Sequence, residues 1–203
     1  MGRGLTLRGA APGEREALKT SRNGGARSRE DYCDAGLGLL AERGAEAVTI
    51  ANLCARLRVT KGSFYHHFRG RTDFVRQLLR YWERDYNARL RSWILGVSPR
   101  ARVALIQKNA LRQQQVDRAI RQLSRSDAYA AASQRRVDAR RERGLASTFR
   151  ELGMPAERAS RLAGIALVIA VGSQQLEPRM TPRRFAALVA EYRRWVDAST
   201  PRR

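Results

Sequence analysis

Residues 49–68 constrain this chain more than any other stretch: Thr-Ile-Ala-Asn-Leu-Cys-Ala-Arg-Leu-Arg-Val-Thr-Lys-Gly-Ser-Phe-Tyr-His-His-Phe. Ile50, Leu53, Cys54 and Leu57 fall at i, i+3, i+4 and i+7, which is one apolar face of a helix. Thr49 precedes them, where a hydroxyl accepts from free backbone N–H groups. Val59 breaks the spacing, so the helix is expected to end near Arg58. Thr60 then caps a second helix that starts at Lys61. Phe64 and Phe68, four apart, are expected to bury against the first helix. The other face carries Lys61, Ser63, Tyr65, His66 and His67.

Two short helices around a tight turn form a helix-turn-helix, and its chemistry points to DNA. No acidic residue occurs from Thr49 to Arg71, while Arg56, Arg58, Lys61, Arg69 and Arg71 are basic. A helix lying between two phosphate backbones tolerates carboxylates poorly. The net charge of +21, dominated by Arg, favours polyanion partners and fast, salt-sensitive association. Arg and Ala are abundant throughout, so part of that charge reflects composition and not a binding face.

The segment closely resembles the DNA-binding end of the TetR family of bacterial transcription regulators. The family's recognition helix typically runs Val-Thr/Ser-Lys-Gly-Ser-Leu/Phe-Tyr-x-His-Phe, and Val59 to Phe68 matches it at every position. Upstream, Ala35, Leu39, Leu40, Ala41, Glu42 and Gly44 follow the family's first helix, with Gly36 and Leu40 replacing Ala and Phe. Downstream, Arg71 to Leu79 looks like the start of the family's fourth helix. The specific match covers about 45 residues, and the rest is similar in helical layout only. One departure lies in the turn, which usually carries Gly where this chain has Arg58. In a left-handed conformation that side chain costs on the order of 1 kcal/mol, which a phosphate contact would offset.

The resemblance implies roles for these positions. Thr49 and Tyr65 hydrogen-bond phosphates, and Arg71 clamps one at the start of the next helix. Arg58 and Thr60 lie at the turn. Lys61 and His66 contact backbone or base edges, and Gly62 allows close approach. Ser63, small and near the helix start, is the expected base reader.

The chain is expected to be all-α, with three parts: a basic arm over residues 1–26, the helix-turn-helix domain over 27–71, and a helical regulatory and dimerisation domain over 72–203. Ser28–Arg43 is the first helix, ended by Gly44. Further helices are expected from Thr72 to about Leu95, Arg100 to Arg118, Ala119 to Ser124, Asp127 to Leu152, Ala156 to Leu176 and Thr181 to Ala198. No strand pattern or internal repeat is visible.

Ala159, Ala163, Ala166, Ala170 and Ser173 form a stripe of small side chains beside a bulky one of Leu162, Ile165, Ile169 and Leu176. One neighbour cannot cover both. Ala159, Ala163, Ala166 and Ala170, with Phe185, Leu188, Tyr192 and Trp195 of the last helix, are therefore expected at a homodimer interface. TetR-type dimers pair through their last two long helices. One short recognition helix also reads few base pairs, and two related by a dyad read a palindrome.

The resemblance further implies a small-molecule inducer in the C-terminal domain, acting through the helix that joins the two domains. Trp82, Tyr86, Trp93, Tyr129 and Phe149 are expected to line an apolar pocket, with Gln113, Gln114 or Gln174 as polar contacts. Its identity is not readable. No cofactor, metal or enzymatic role is expected. His66 and His67 are adjacent on a helix and point apart, with no carboxylate or thiol at ligand spacing, and there is no phosphate loop or paired nucleophile and base. Cys33 and Cys54 are read as small core residues of a reducing, cytoplasmic protein. The N-terminus lacks an apolar signal region, and its Met-Gly-Arg-Gly-Leu-Thr start is read as a chance match to a lipidation pattern. No stretch is long enough to span a bilayer. Two alternatives remain open: a ligand or redox sensor with weakened operator binding, and a sequence-neutral architectural DNA-binding protein.

Overall fold

The computed structural model describes residues 27–94, 96–176 and 180–198, apart from the side chains of residues 87, 89–94, 107 and 109–112. Among the described residues every regular element is helical. They are α1 (Arg29–Arg43), a 3-10 turn (Ala45–Ala47), α2 (Ile50–Leu57), α3 (Lys61–His67), α4 (Arg71–Ile94), α5 (Pro99–Leu123), α6 (Ala128–Glu151), α7 (Ala156–Gln175) and α8 (Pro182–Ala198). No described helix is long and apolar enough to cross a membrane.

Local capping chemistry sets most of the helix starts. Ser28 and Asp31 form a reciprocal capping box on α1. Thr49 accepts from Asn52 N–H at 3.1 Å, and Thr60 from Ser63 N–H at 3.3 Å. Asp127 accepts from Ala130 N–H at 2.8 Å to start α6. Thr181 accepts from Arg184 N–H at 3.2 Å, with Pro182 at the first helical position of α8, where its missing N–H costs nothing.

The expected break near Arg118 does not occur, and α5 runs unbroken to Leu123. Val116, Ala119 and Ile120 are all buried and continue one apolar face across that point. Pro99 occupies the helix start, and no Gly or other Pro lies between Arg100 and Leu123 to interrupt the backbone.

The chain divides into two compact units, Met1–Arg89 with Ala119–Ser133, and Leu90–Arg118 with Gln134–Arg203. In the first, Tyr32, Leu53, Phe64, Phe68, Phe74, Leu79 and Trp82 are almost wholly buried. Tyr81 Oη donates to the buried Asp34 carboxylate at 2.6 Å, fastening α4 to α1. In the second, Val103, Leu145, Phe149, Met154, Ala159, Leu162, Ala163, Tyr192 and Val196 form one core. Arg102, itself buried, grips Glu151 with Nη1 at 2.8 and 2.9 Å. Arg141 donates to the buried Asp117 at 2.7 Å.

Gly36, where the resemblance led one to expect Ala, has a packing reason. A Cβ there would lie 2.7 Å from Phe74 Cζ and 3.2 Å from Leu78 Cδ1. Phe74 is fully buried and cannot swing away. Ala is the better helix former by roughly 1 kcal/mol, but overpacking costs about 1–3 kcal/mol, and the clash should win. Gly36→Ala is expected to lower unfolding stability by about 1 kcal/mol or more, read as a lower urea midpoint at unchanged slope.

Candidate DNA-reading site

A seven-residue helix has too few hydrogen bonds to stand alone in water. α3 is held by its aromatic residues. The Phe64 ring lies 5.8 Å from Tyr32, 5.2 Å from Phe68 and 5.8 Å from Phe74. Phe68 meets Phe74 edge-on at 5.0 Å. Such pairs contribute roughly 0.5–1.5 kcal/mol each beyond their burial. With the inner face docked, Lys61, Tyr65 and His66 are left exposed, and Ser63 half-buried. Tyr65 is 57% exposed, which for a tyrosine beside a fully buried phenylalanine leaves its hydroxyl to solvent or a ligand.

The turn is built as its sequence departure suggested. Arg58 caps α2 with φ 55° and ψ 50°, a left-handed conformation, and is the non-glycine residue with positive φ among those described. Its N–H bonds Ala55 O at 3.2 Å, and Val59 N–H bonds Cys54 O at 3.0 Å, closing the last turn of α2. Cys54 Sγ reaches Thr60 O at 3.6 Å across the same turn. Among the described residues neither Arg58 nor Lys61 is paired with a carboxylate.

Other basic residues of the segment are engaged. Arg56 forms a two-pronged pair with Glu42, at 2.7 and 2.9 Å, which holds the Glu42 carboxyl below its ordinary value. Gly38 makes room for it, since a Cβ there would sit 2.8 Å from Arg56 Nη2. Arg71, for which the resemblance implies a phosphate clamp, donates Nε–H to Val48 O at 2.8 Å and Nη2–H to Ala45 O at 3.4 Å. It staples the 3-10 turn to the start of α4, and part of its donor set is spent on that. The Thr49 hydroxyl accepts from Asn52 N–H, which leaves its own hydrogen to donate. A bond that sequence reasoning missed joins Tyr32 Oη to Ser63 Oγ at 2.9 Å. Its partners are 31 residues apart, and no local pattern signals it.

The residues assigned to a ligand pocket fall in different units. Trp82, Tyr86 and Tyr129 belong to the first. Trp82 and Tyr86 are buried there, and Tyr129 accepts from Arg80 Nε at 2.9 Å. Gln113, Phe149 and Gln174 belong to the second and are buried in it. The side chain of Trp93 lies outside the described residues, as does the arm over residues 1–26. Gln114 Nε2 donates to Ser173 Oγ at 3.4 Å, tying α5 to α7.

The small-residue stripe turns inward. Ala159 and Ala163 are fully buried within the subunit core, Phe185 is 2% exposed, and Tyr192 Oη donates to Leu162 O at 2.6 Å. These side chains are spent on the subunit's own core. Ala166 and Ala170 are partly covered. The outward apolar set is Ile165, Val168, Leu176, Leu188 and Trp195, with Val168 70% exposed.

Residues 33–78 match the family model for bacterial regulatory proteins of the tetR family. Over that segment the chain is similar to the tetR-family regulators. The transcriptional regulator AcuR of Cereibacter sphaeroides is 38% identical over 79 residues, and the match spans 37% of this chain and 36% of that relative's length. The fold agrees with the regulatory protein TetR of Rhodobacter sphaeroides at TM-score 0.66 and 24% identity, over 81% of this chain and 96% of that one. It agrees with a Saccharomonospora viridis protein solved in complex with choline at TM-score 0.64 and 16% identity, over 81% and 94% of the two chains. The TetR-family model begins at Cys33 and ends at Leu78, within the α1-to-α4 segment that carries the acid-free face of α3.

Two outcomes follow for this site. Arg58→Gly should relieve the left-handed strain and raise unfolding stability by about 1 kcal/mol, measured by denaturant titration. Burial, with the neighbouring Asp34 carboxylate adding to it, pushes the Cys33 thiol up to about 12, and burial also raises Cys54. Because the thiolate is the reactive form, neither should be labelled by a thiol reagent in the native chain at neutral pH. Both should react after denaturation.

Proposed function

We propose that this chain is a sequence-specific, DNA-binding transcriptional regulator, most simply a repressor, acting as a homodimer on a palindromic operator and released by a small molecule. The observation that carries the reading is the exposed face of α3. Lys61, Tyr65 and His66 stand on it with the half-buried Ser63, the opposite face is locked into an aromatic core, and no carboxylate occurs from Thr49 to Arg71. Residues 27–71 serve as the DNA-binding domain and 72–203 as the regulatory and dimerisation domain, with residues 1–26 as a basic arm. The exposed apolar residues Ile165, Val168, Leu188 and Trp195 on α7 and α8 supply the dimer surface. Two recognition helices then read half-sites about one helical turn apart.

Release by a ligand draws support from the second unit. Asp117 Oδ1 and Gln134 Oε1 are buried acceptors without a hydrogen-bond partner among the described residues. Each residue is 4% exposed, and leaving such groups unmet is costly. A ligand bearing N–H or O–H donors would satisfy them. It must bind the non-operator conformation more tightly to shift the equilibrium, and α4, continuous from Arg71 to Ile94, is the element that would transmit the change. A redox-sensor reading fits poorly with two thiols that are both buried and both held protonated.

The test is fluorescence anisotropy of the full chain on the DNA upstream of its own gene, against scrambled duplex, across a salt series. Preference for one fragment by about a thousandfold or more is expected, with affinity falling as salt rises. Equal, steeply salt-dependent binding to every fragment, including a random-sequence pool, would mean that net charge alone binds DNA.

A further inference from the structure

Among the described residues, Tyr32 is the α1 side chain that bonds the outer face of α3. It is fully buried, with its ring fixed edge-on against Phe64 at 5.8 Å and Phe68 at 5.5 Å, and tilted against His67 at 5.5 Å. Its hydroxyl is therefore a fixed point beneath the start of α3. It lies 2.9 Å from Ser63 Oγ. No other acceptor for it occurs among the described residues.

The direction of that bond follows from satisfaction. If Ser63 donated to Tyr32, the phenolic O–H would be left buried with no acceptor, which native structures avoid. A phenol is also the stronger donor of the two hydroxyls, and burial keeps Tyr32 protonated by raising its pKa. So Tyr32 donates and Ser63 accepts. A serine hydroxyl has one hydrogen and two lone pairs. One lone pair is taken by Tyr32, and the hydrogen is left without a partner among the described residues.

We infer that Tyr32 is a positioning residue for base readout, and that it presents Ser63 to the major groove as a hydrogen-bond donor. Ser63 then selects a base-pair edge offering an acceptor, such as purine N7, guanine O6 or thymine O4. It disfavours one offering the amino group of adenine N6 or cytosine N4 at that point. With one lone pair tied to Tyr32, the remaining hydrogen and lone pair of Ser63 are held to two directions; without Tyr32 the hydroxyl rotates freely, and the preference between those edges is lost. The inference rests on the proposed DNA-reading function and adds the polarity of one contact to it.

The experiment selects bound sequences from a random duplex pool with full-length wild-type protein, Tyr32→Phe and Ser63→Ala. The wild-type winner is then rebuilt with single acceptor-deleted bases: a 7-deazapurine, 2-aminopurine for guanine, and a 4-deoxy analogue for thymine. At one position in each half-site, deletion should weaken wild-type binding by about tenfold and leave Ser63→Ala indifferent. Tyr32→Phe should keep the consensus elsewhere while flattening preference at that same position. A uniform loss across all positions is what a purely structural role would give, and it would overturn the inference. So would an unchanged preference in Tyr32→Phe, or wild-type insensitivity to every acceptor deletion. If Tyr32→Phe does not fold, the comparison of wild type with Ser63→Ala on deleted bases still decides the polarity of Ser63. Failure of the wild-type protein to enrich any sequence would remove the DNA-reading function itself, an outcome distinct from the other three.

Discussion

The docking of α3 onto the aromatic cluster of Tyr32, Phe64, Phe68 and Phe74 is the interaction on which the reading face depends. Seven residues are too few for a helix to persist in water. The cluster supplies the missing stability and also fixes which side of α3 faces out. Gly36 then makes sense as a residue without a side chain, because Phe74 occupies the space a Cβ would need. Thr60 caps the start of α3 through Ser63 N–H, and Tyr32 holds the Ser63 hydroxyl. One short helix is thus fixed at its core face, its first turn and the Ser63 hydroxyl.

Charge is managed on the same scale. Arg56 is paired with Glu42, and Arg71 bonds two backbone carbonyls. Neither is a loose cation. Among the described residues Arg58 and Lys61 lack carboxylate partners, and they flank the turn into α3. The net charge of +21 sets a general attraction for polyanions, but a field of that kind favours every sequence alike. Discrimination has to come from the few side chains whose geometry is fixed by the core.

Much of the first unit was legible in the sequence because its determinants are local. Thr49 and Thr60 cap the helices their positions suggested, since a cap needs only three or four residues of sequence. The left-handed Arg58 was legible as a turn residue out of place. The choice of buried face on α7 was not. Its small and bulky stripes are both apolar, and the core takes Ala159 and Ala163 from one and Leu162 from the other, with Tyr192 Oη bonded to Leu162 O. The Tyr32–Ser63 bond and the Asp117–Arg141 pair join residues 31 and 24 positions apart. No spacing rule reaches that far. Continuity of α5 across Arg118 was missed for a different reason: a polar run of three glutamines masked an apolar face that continues through it.

Hydrogen exchange of the full chain, free and bound to duplex DNA, tests the central claim most directly. The amides of Thr60–His67, and those at the start of α2 next to Thr49, should exchange more slowly on DNA, while those of the Phe149–Tyr192 core stay unchanged. Protection confined to the second unit, or spread evenly over basic surface with α3 unaffected, would contradict the assignment of α3 as the element that reads DNA.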